Sequence, residues 1–101
     1  MHRRRRCKII ATLGPASNDE EGIERLWRAG ADLFRINMSH ADPAAMRERV
    51  AMIRAVESRV GRPIGVLVDL QGPKLRVGAF AGGGAEIFEG QRFTFDSDPA
   101  P

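Results

Sequence analysis

Three short apolar runs, separated by two segments of helical periodicity, are the feature that most limits the fold of this sequence. The apolar runs cover residues 8–13, 33–38 and 64–69, and each has the length of a buried strand. The segments between them, about 18–29 and 42–59, repeat apolar residues every three or four positions, as amphipathic helices do. Apolar strands that alternate with helices require a parallel sheet with right-handed crossovers, covered on both faces. The sequence therefore predicts an α/β fold in the order β-α-β-α-β.

Local signals mark the ends of both predicted helices. Ser17 stands three residues before Glu20, which is the spacing of a capping box at the start of the first helix. Gly30 follows the last apolar residue of that helix, where a left-handed stop is expected. Asp42 is the predicted N-cap of the second helix, and Gly61 is its predicted end.

The pattern changes after about residue 73. Three short segments of β character follow, at 75–80, 86–88 and 92–95. We therefore divide the chain into a basic leader (1–7), an α/β part (8–73) and the beginning of a β-domain (74–101).

Charge and composition exclude several classes of protein. The net charge is +3, but Arg3 to Arg6 supply four of the 16 basic residues against 13 acidic ones, so the rest of the chain is slightly acidic. A terminal arginine cluster of this kind predicts a solvated, mobile leader and no specific nucleic-acid surface. No apolar run approaches the roughly 18 residues of a membrane span, and the single Cys7 cannot form an internal disulfide. A membrane protein and a disulfide-stabilised secreted protein are excluded.

Polar side chains lie toward the carboxyl ends of the second and third predicted strands. These ends are where α/β folds place their active sites. Side chains alternate along a strand, so Arg35, Asn37 and, if the strand continues, Ser39 point to one side. Asp69 ends the next strand in the same way. An arginine suits phosphate or carboxylate, and the neutral and carboxylate oxygens suit a hard cation, which together equip a site for phosphoryl transfer. The alternative is that these residues simply begin surface loops.

Three motifs, in this order and spacing, resemble the amino-terminal part of the pyruvate kinase family. They are Lys8–Ser17, Arg35–His40 and Asp69–Arg76, and the similarity extends from about Lys8 to Phe80. The resemblance implies a (β/α)₈ barrel interrupted after its third strand by a small, all-β lid. This chain would then hold the first three β/α units and the start of the lid, as an amino-terminal fragment that is inactive by itself. The family transfers a phosphoryl group from phosphoenolpyruvate to ADP, giving pyruvate and ATP, and is usually a cytoplasmic homotetramer.

The resemblance also implies roles for individual residues. Arg35 is expected to contact the substrate and the transferring phosphoryl group. The expected nucleotide contacts are Asn37, Met38, Ser39, His40 and Arg76. The expected monovalent-cation ligands are Asn37, Ser39, Asp69 and the backbone carbonyl of Leu70.

Departures from the family pattern lie beside this cation site. Many potassium-dependent members carry Thr, Lys and Glu where this chain has Leu70, Gln71 and Lys74. In family members that carry Lys at this position the ammonium replaces the ion, so the resemblance implies a potassium-independent enzyme in which Lys74 takes the place of K⁺. Electrostatics agree, because an added ammonium beside Asp69 would repel K⁺. The family's Mg²⁺ ligands and its catalytic lysine match no residue of this chain, so we expect no catalytic residue here.

Two further hypotheses belong to other classes of protein. The chain could be a stand-alone module that binds phosphate or nucleotide without catalysis, or a nucleic-acid accessory protein that uses Arg3 to Arg6. A finished module should close its fold with a helix or a paired strand, whereas this sequence stops within an unfinished β-domain. That ending favours the enzyme fragment.

Overall fold

The chain forms a parallel three-stranded sheet connected by two helices, in the predicted order. The computed structural model describes residues 3–98. The strands are β1 (Ile10–Thr12), β2 (Leu33–Asn37) and β3 (Gly65–Asp69), and the helices are α1 (Glu20–Ala29) and α2 (Pro43–Val60). β2 lies between β1 and β3 and pairs with both in parallel. These findings confirm the α/β fold and its parallel sheet.

Both helices pack on the same face of the sheet. On β2, Phe34 and Ile36 are fully buried, whereas the residues that alternate with them are only partly buried. They join one core with residues from both helices: Leu13, Ile23, Trp27, Ala31, Phe34, Ile36, Ile53, Val56 and Ile64. Successive units of a β/α barrel have this one-sided arrangement, while a doubly wound sheet carries helices on both faces.

The second face of the sheet is open in the part of the chain that the structure describes. Ile10 on β1 and Leu67 on β3 point to this face, and their side chains are 51% and 39% exposed. The expectation that the strands are covered on both sides is therefore wrong for residues 3–98. The barrel that the resemblance implies would bury this apolar face against its other strands.

The start of α1 differs from the predicted capping box. Asp19 is the N-cap, and its Oδ1 accepts a hydrogen bond from the backbone N–H of Gly22 at 2.6 Å. Ser17 instead ends a short 3-10 turn, where its hydroxyl accepts from the backbone N–H of Gly14 at 3.2 Å. The predicted capping box of Ser17 and Glu20 is wrong, because the Ser17 hydroxyl forms its hydrogen bond within the 3-10 turn that precedes the helix.

The ends of α2 agree with the sequence. The Asp42 carboxylate accepts from the backbone N–H of Ala45 at 2.8 Å. Gly61 has a φ of 67°, the left-handed conformation that glycine adopts without strain, and its N–H donates to the carbonyl of Glu57 at 3.0 Å.

The two helices are also joined by charged side chains. Arg59 of α2 donates to Glu20 and to Glu24 of α1, both at 3.0 Å. The pKa of Glu24 is lowered, first by the hydrogen bond from Arg28 and further by Arg59. These ion pairs link the two helices through charged side chains that are not part of the apolar core.

Arg3 and Arg5 of the basic leader are attached to the fold. Arg3 Nη1 and Arg5 Nη2 bond to the two carboxylate oxygens of Asp32, at 2.6 and 2.8 Å, and the Arg3 guanidinium lies 5.2 Å from the centre of the Trp27 ring. The backbone N–H of Ile9 donates to the same carboxylate at 2.8 Å. The prediction of a mobile, solvated leader is therefore wrong for Arg3 and Arg5. Asp32 precedes β2, so these contacts lie at the opposite end of the sheet from the polar strand ends.

Residues 74–98 contain no strand. The structure places a short 3-10 turn at Ala81–Gly83, and the rings of Phe93 and Phe95 meet edge to face at 5.1 Å. The predicted β segments at 75–80, 86–88 and 92–95 are wrong for this chain, because isolated short strands have no partner to satisfy their backbone groups. Large apolar side chains such as Leu75, Val77 and Phe88 are exposed as a result.

Neither α1 nor α2 has both the length and the apolar character that crossing a bilayer demands, and this holds for the described residues 3–98.

Candidate functional site

The carboxyl ends of β2 and β3 bring the predicted polar residues together. Asn37 and Asp69 are direct register partners, and Arg35 lies two residues earlier on the same face of β2. All three are partly buried, at the edge of the sheet where solvent reaches them. Their convergence, expected from strand alternation, is confirmed.

Arg35 and Asp69 form an ion pair across the two strands. Nε of Arg35 donates to Oδ2 of Asp69 at 3.0 Å, and Nη2 donates to the same oxygen. The Arg35 side chain is 31% exposed and that of Asp69 is 46% exposed. The guanidinium therefore stays open to a ligand while its charge is balanced from one side.

Thr12, at the end of β1, contacts Arg35 from the opposite side. Its Oγ1 accepts from Nη1 of Arg35 at 3.4 Å, and the two residues are register partners. The sequence analysis did not single out Thr12. The available signal was its position as the lone polar residue in the apolar run 9–13.

The residues after β2 form a tight turn. The side-chain oxygen of Asn37 accepts from the backbone N–H of Ser39 at 3.0 Å, and the Asn37 carbonyl accepts from the N–H of His40 at 3.1 Å. The N–H of Met38 donates to the backbone carbonyl of Asp69 at 3.0 Å. The turn ends the strand at Asn37, so Ser39 does not continue it, and His40 is exposed.

The segment after β3 is tied back to this turn. Nε2 of Gln71 donates to the Met38 carbonyl at 2.9 Å, and Nη2 of Arg76 donates to the Ser39 hydroxyl at 3.2 Å. The structure therefore brings Arg76 to the predicted nucleotide residues. In the sequence, Gln71 is distinguished only as a departure from the family pattern. Its contact with Met38 depends on a fold that sequence spacing does not reveal.

Leu70 and Lys74, which follow β3, are both exposed. The Leu70 side chain is 75% exposed, which leaves only its backbone for the predicted role. Lys74 is exposed, and its backbone N–H donates to the carbonyl of Gly72 at 2.8 Å. Within residues 3–98, the Lys74 ammonium forms no ion pair, and Arg35 is the cation that contacts Asp69.

Three of the oxygens predicted to hold a monovalent cation accept hydrogen bonds from other groups. Asn37 Oδ1 accepts from Ser39 N–H, the Ser39 hydroxyl accepts from Arg76, and Asp69 Oδ2 accepts from Arg35. Two guanidinium groups within bonding distance of these oxygens would repel an added cation. These contacts disfavour a bound K⁺ in this arrangement.

Among residues 3–98, no group of three or more His, Cys, Asp and Glu side chains is placed to hold a metal ion.

Comparison with known proteins places this geometry in a family. The family model "Pyruvate kinase, barrel domain" matches residues 4–100. A pyruvate kinase of Methylorubrum extorquens is 58% identical over 101 residues, which cover all of this chain and 21% of the relative. Pyruvate kinase 2 of Synechocystis is 42% identical over 97 residues, covering 94% of this chain and 16% of the relative.

A solved structure of a pyruvate kinase is also similar to this chain. The crystal structure of Cryptosporidium parvum pyruvate kinase aligns with a TM-score of 0.70 and 32% sequence identity, covering 76% of this chain and 16% of that one. The chain thus spans about a fifth of the length of the relatives that it matches, or less.

Proposed function

This chain belongs to the pyruvate kinase family, and on that premise we propose that it supplies part of the active site of an enzyme that transfers a phosphoryl group from phosphoenolpyruvate to ADP. In that reaction the bond between phosphorus and the enol oxygen breaks, and a bond to a terminal oxygen of ADP forms. The enolate then takes up a proton at carbon, giving pyruvate and ATP. The observation that carries the proposal is the Arg35 guanidinium, held at the open edge of the sheet by Asp69 and Thr12.

Arg35 has the donors that a phosphoryl group needs. A guanidinium has five N–H groups, of which the contacts to Asp69 and Thr12 use three. The remaining two, one on each terminal nitrogen, form the fork that binds two oxygens of a phosphate or carboxylate. A fixed positive group at this position stabilises the charge that spreads over the phosphoryl oxygens during transfer.

The turn after β2 is the proposed nucleotide contact. Its members, by family resemblance, are Asn37, Met38, Ser39, His40 and Arg76. Support comes from the 3.2 Å bond between Arg76 and the Ser39 hydroxyl, because it brings a second guanidinium to the turn. We propose that Arg76 exchanges this bond for a phosphate oxygen of ADP.

Mg²⁺ and K⁺, the two metal ions of the family, have different places in this proposal. Mg²⁺, when bound, would neutralise phosphate charge, and we propose, from the family resemblance, that residues outside this chain hold it. For K⁺ we propose that none is needed, because the Arg35 and Arg76 guanidinium groups and the exposed Lys74 already supply positive charge at this edge. No step is assigned to a monovalent ion.

The remaining elements of the proposal come from the family alone. They are the division into a barrel part (8–73) and the start of a lid (74–101), three β/α units of an eightfold barrel, a homotetramer and a cytoplasmic location. The one-sided packing of α1 and α2 is compatible with the barrel.

A chimaera tests the proposed function directly. This chain would replace the 101 matching residues of the M. extorquens relative, and the product is called the graft below. We expect the graft to form pyruvate from phosphoenolpyruvate and ADP. Arg35→Met should lower kcat/KM by about 100-fold or more, the loss typical of removing a charged group that stabilises the transition state. Arg47→Met, on the exposed side of α2 and without a bonding partner in the described chain, is the matched control.

Two results would overturn this function. One is a graft that elutes and melts like the unaltered relative but forms no pyruvate. The other is an Arg35→Met graft that is as active as the Arg47→Met graft. If the graft is inactive and the 101-residue chain still binds ADP or phosphoenolpyruvate in a calorimetric titration, the non-catalytic binding module becomes the better interpretation.

A further inference from the structure

We propose that Thr12 is a positioning residue that fixes the orientation of the Arg35 guanidinium for the anionic substrate. The inference rests on the proposed function and adds to it a residue from the first strand. Its basis is the placement of Thr12 and Asp69 on the two strands that flank Arg35.

The contact with Asp69 does not fix the guanidinium by itself. Nε and Nη2 both donate to the single oxygen Oδ2, so the group can pivot about that atom. A fork that engages both oxygens of a carboxylate would prevent this rotation, but this pair does not form one.

Thr12 supplies the second point of attachment. Its hydroxyl accepts from Nη1, the nitrogen that does not contact Asp69, at 3.4 Å. Two contacts on opposite sides define the plane of the guanidinium, and the two unused N–H groups then point in one direction. The substrate therefore meets an oriented fork and does not have to order it on binding.

The strand itself holds Thr12 in place. It is the register partner of Arg35, and Leu13, the next residue, is buried and donates its N–H to the Arg35 carbonyl at 3.0 Å. Thr12 is exposed and contributes nothing to the core, so the hydroxyl is not explained by packing. An apolar β-branched residue would serve the strand equally well.

Isosteric substitutions in the graft test the inference. Thr12→Val removes the hydroxyl and keeps the shape, Thr12→Ala also removes it, and Thr12→Ser keeps it. We expect Val and Ala to lower kcat/KM for phosphoenolpyruvate about tenfold, equivalent to about 1.4 kcal/mol, mainly through KM. Ser should stay within about twofold of the unmodified graft, and KM for ADP and the melting temperature should not change.

A double substitution separates positioning from a general effect. If Thr12 acts through Arg35, adding Thr12→Val to Arg35→Met causes no further loss. An unchanged KM in both Val and Ala variants, or the same tenfold loss on top of Arg35→Met, would overturn the inference. A failure of the proposed function itself would give other results. In that case Arg35→Met would not lower activity, or the folded graft would be inactive.

Discussion

Arg35 and Asp69 join two neighbouring parallel strands through one carboxylate oxygen, with Nε of the arginine 3.0 Å from Oδ2 of the aspartate. Because nearly half of the Asp69 side chain is exposed, such a pair contributes at most about 1 kcal/mol to folding. Its main consequence is orientation. The carboxylate turns the guanidinium along the edge of the sheet, where an anion from solvent can reach it.

The first prediction concerns Asp69→Asn. An amide can still accept a hydrogen bond from Arg35, but the charge that holds the guanidinium is gone. We expect kcat/KM of the graft for phosphoenolpyruvate to fall about tenfold or more, with the melting temperature nearly unchanged. Steady-state kinetics measure this, and Glu48→Gln on the exposed side of α2 is the control. Equal activity of the two variants would show that Asp69 does not orient Arg35.

The second prediction concerns Gln71, whose amide donates to the Met38 carbonyl at 2.9 Å. Gln71→Met has a similar shape but no donor, so it frees the turn that is proposed to contact the nucleotide. A neutral hydrogen bond is worth about 1 kcal/mol, so we expect KM of the graft for ADP to rise about fivefold while KM for phosphoenolpyruvate stays constant. Gln71→Lys restores a donor and should restore KM. A parallel rise in both KM values would point to general disorder of the segment.

The third prediction concerns potassium. Because Lys74 stands where many potassium-dependent members carry Glu, the graft should be equally active in K⁺ and in tetramethylammonium buffers. Lys74→Glu reverses a charge at this edge, and we expect it to introduce stimulation by K⁺. Pyruvate formation measured against K⁺ concentration tests both statements. A strong K⁺ requirement of the unmodified graft would contradict the first.

Sequence periodicity predicted the parts of the site that depend on one strand at a time. Alternation along β2 placed Arg35 and Asn37 on one face, and the position of Asp69 at the end of the next strand brought it to them. The contact of Thr12 with Arg35 depends on the register between β1 and β2, which no local pattern encodes. Only the pairing of the strands reveals it.

The errors of the sequence analysis also arise from long-range partners. Arg3 and Arg5 were expected to be solvated because their partner, Asp32, lies more than 25 residues away. Residues 75–95 have the composition of strands, but a strand forms only when another strand meets its backbone groups. In both cases the presence or absence of a distant partner decides the structure.

The fourth prediction concerns acid stability and Asp32. Its pKa lies well below the ordinary value of 3.8, first because of the hydrogen bond from the Ile9 backbone and then because of Arg5 and Arg3. A lowered pKa in the folded state means that the carboxylate stabilises the fold above about pH 4, and that this contribution is lost as the pH falls below 3.8 toward the folded-state pKa. Asp32→Asn removes the contribution at every pH.

Thermal melts of the 101-residue chain by circular dichroism should therefore show a lower melting temperature for Asp32→Asn at pH 7, and a difference that shrinks below pH 4. The control Glu48→Gln, an exposed carboxylate on α2, should follow the unmodified chain throughout. If the melting curves of Asp32→Asn and the unmodified chain stay equally far apart from pH 7 to pH 2, the Asp32 carboxylate is not what couples the leader to the fold.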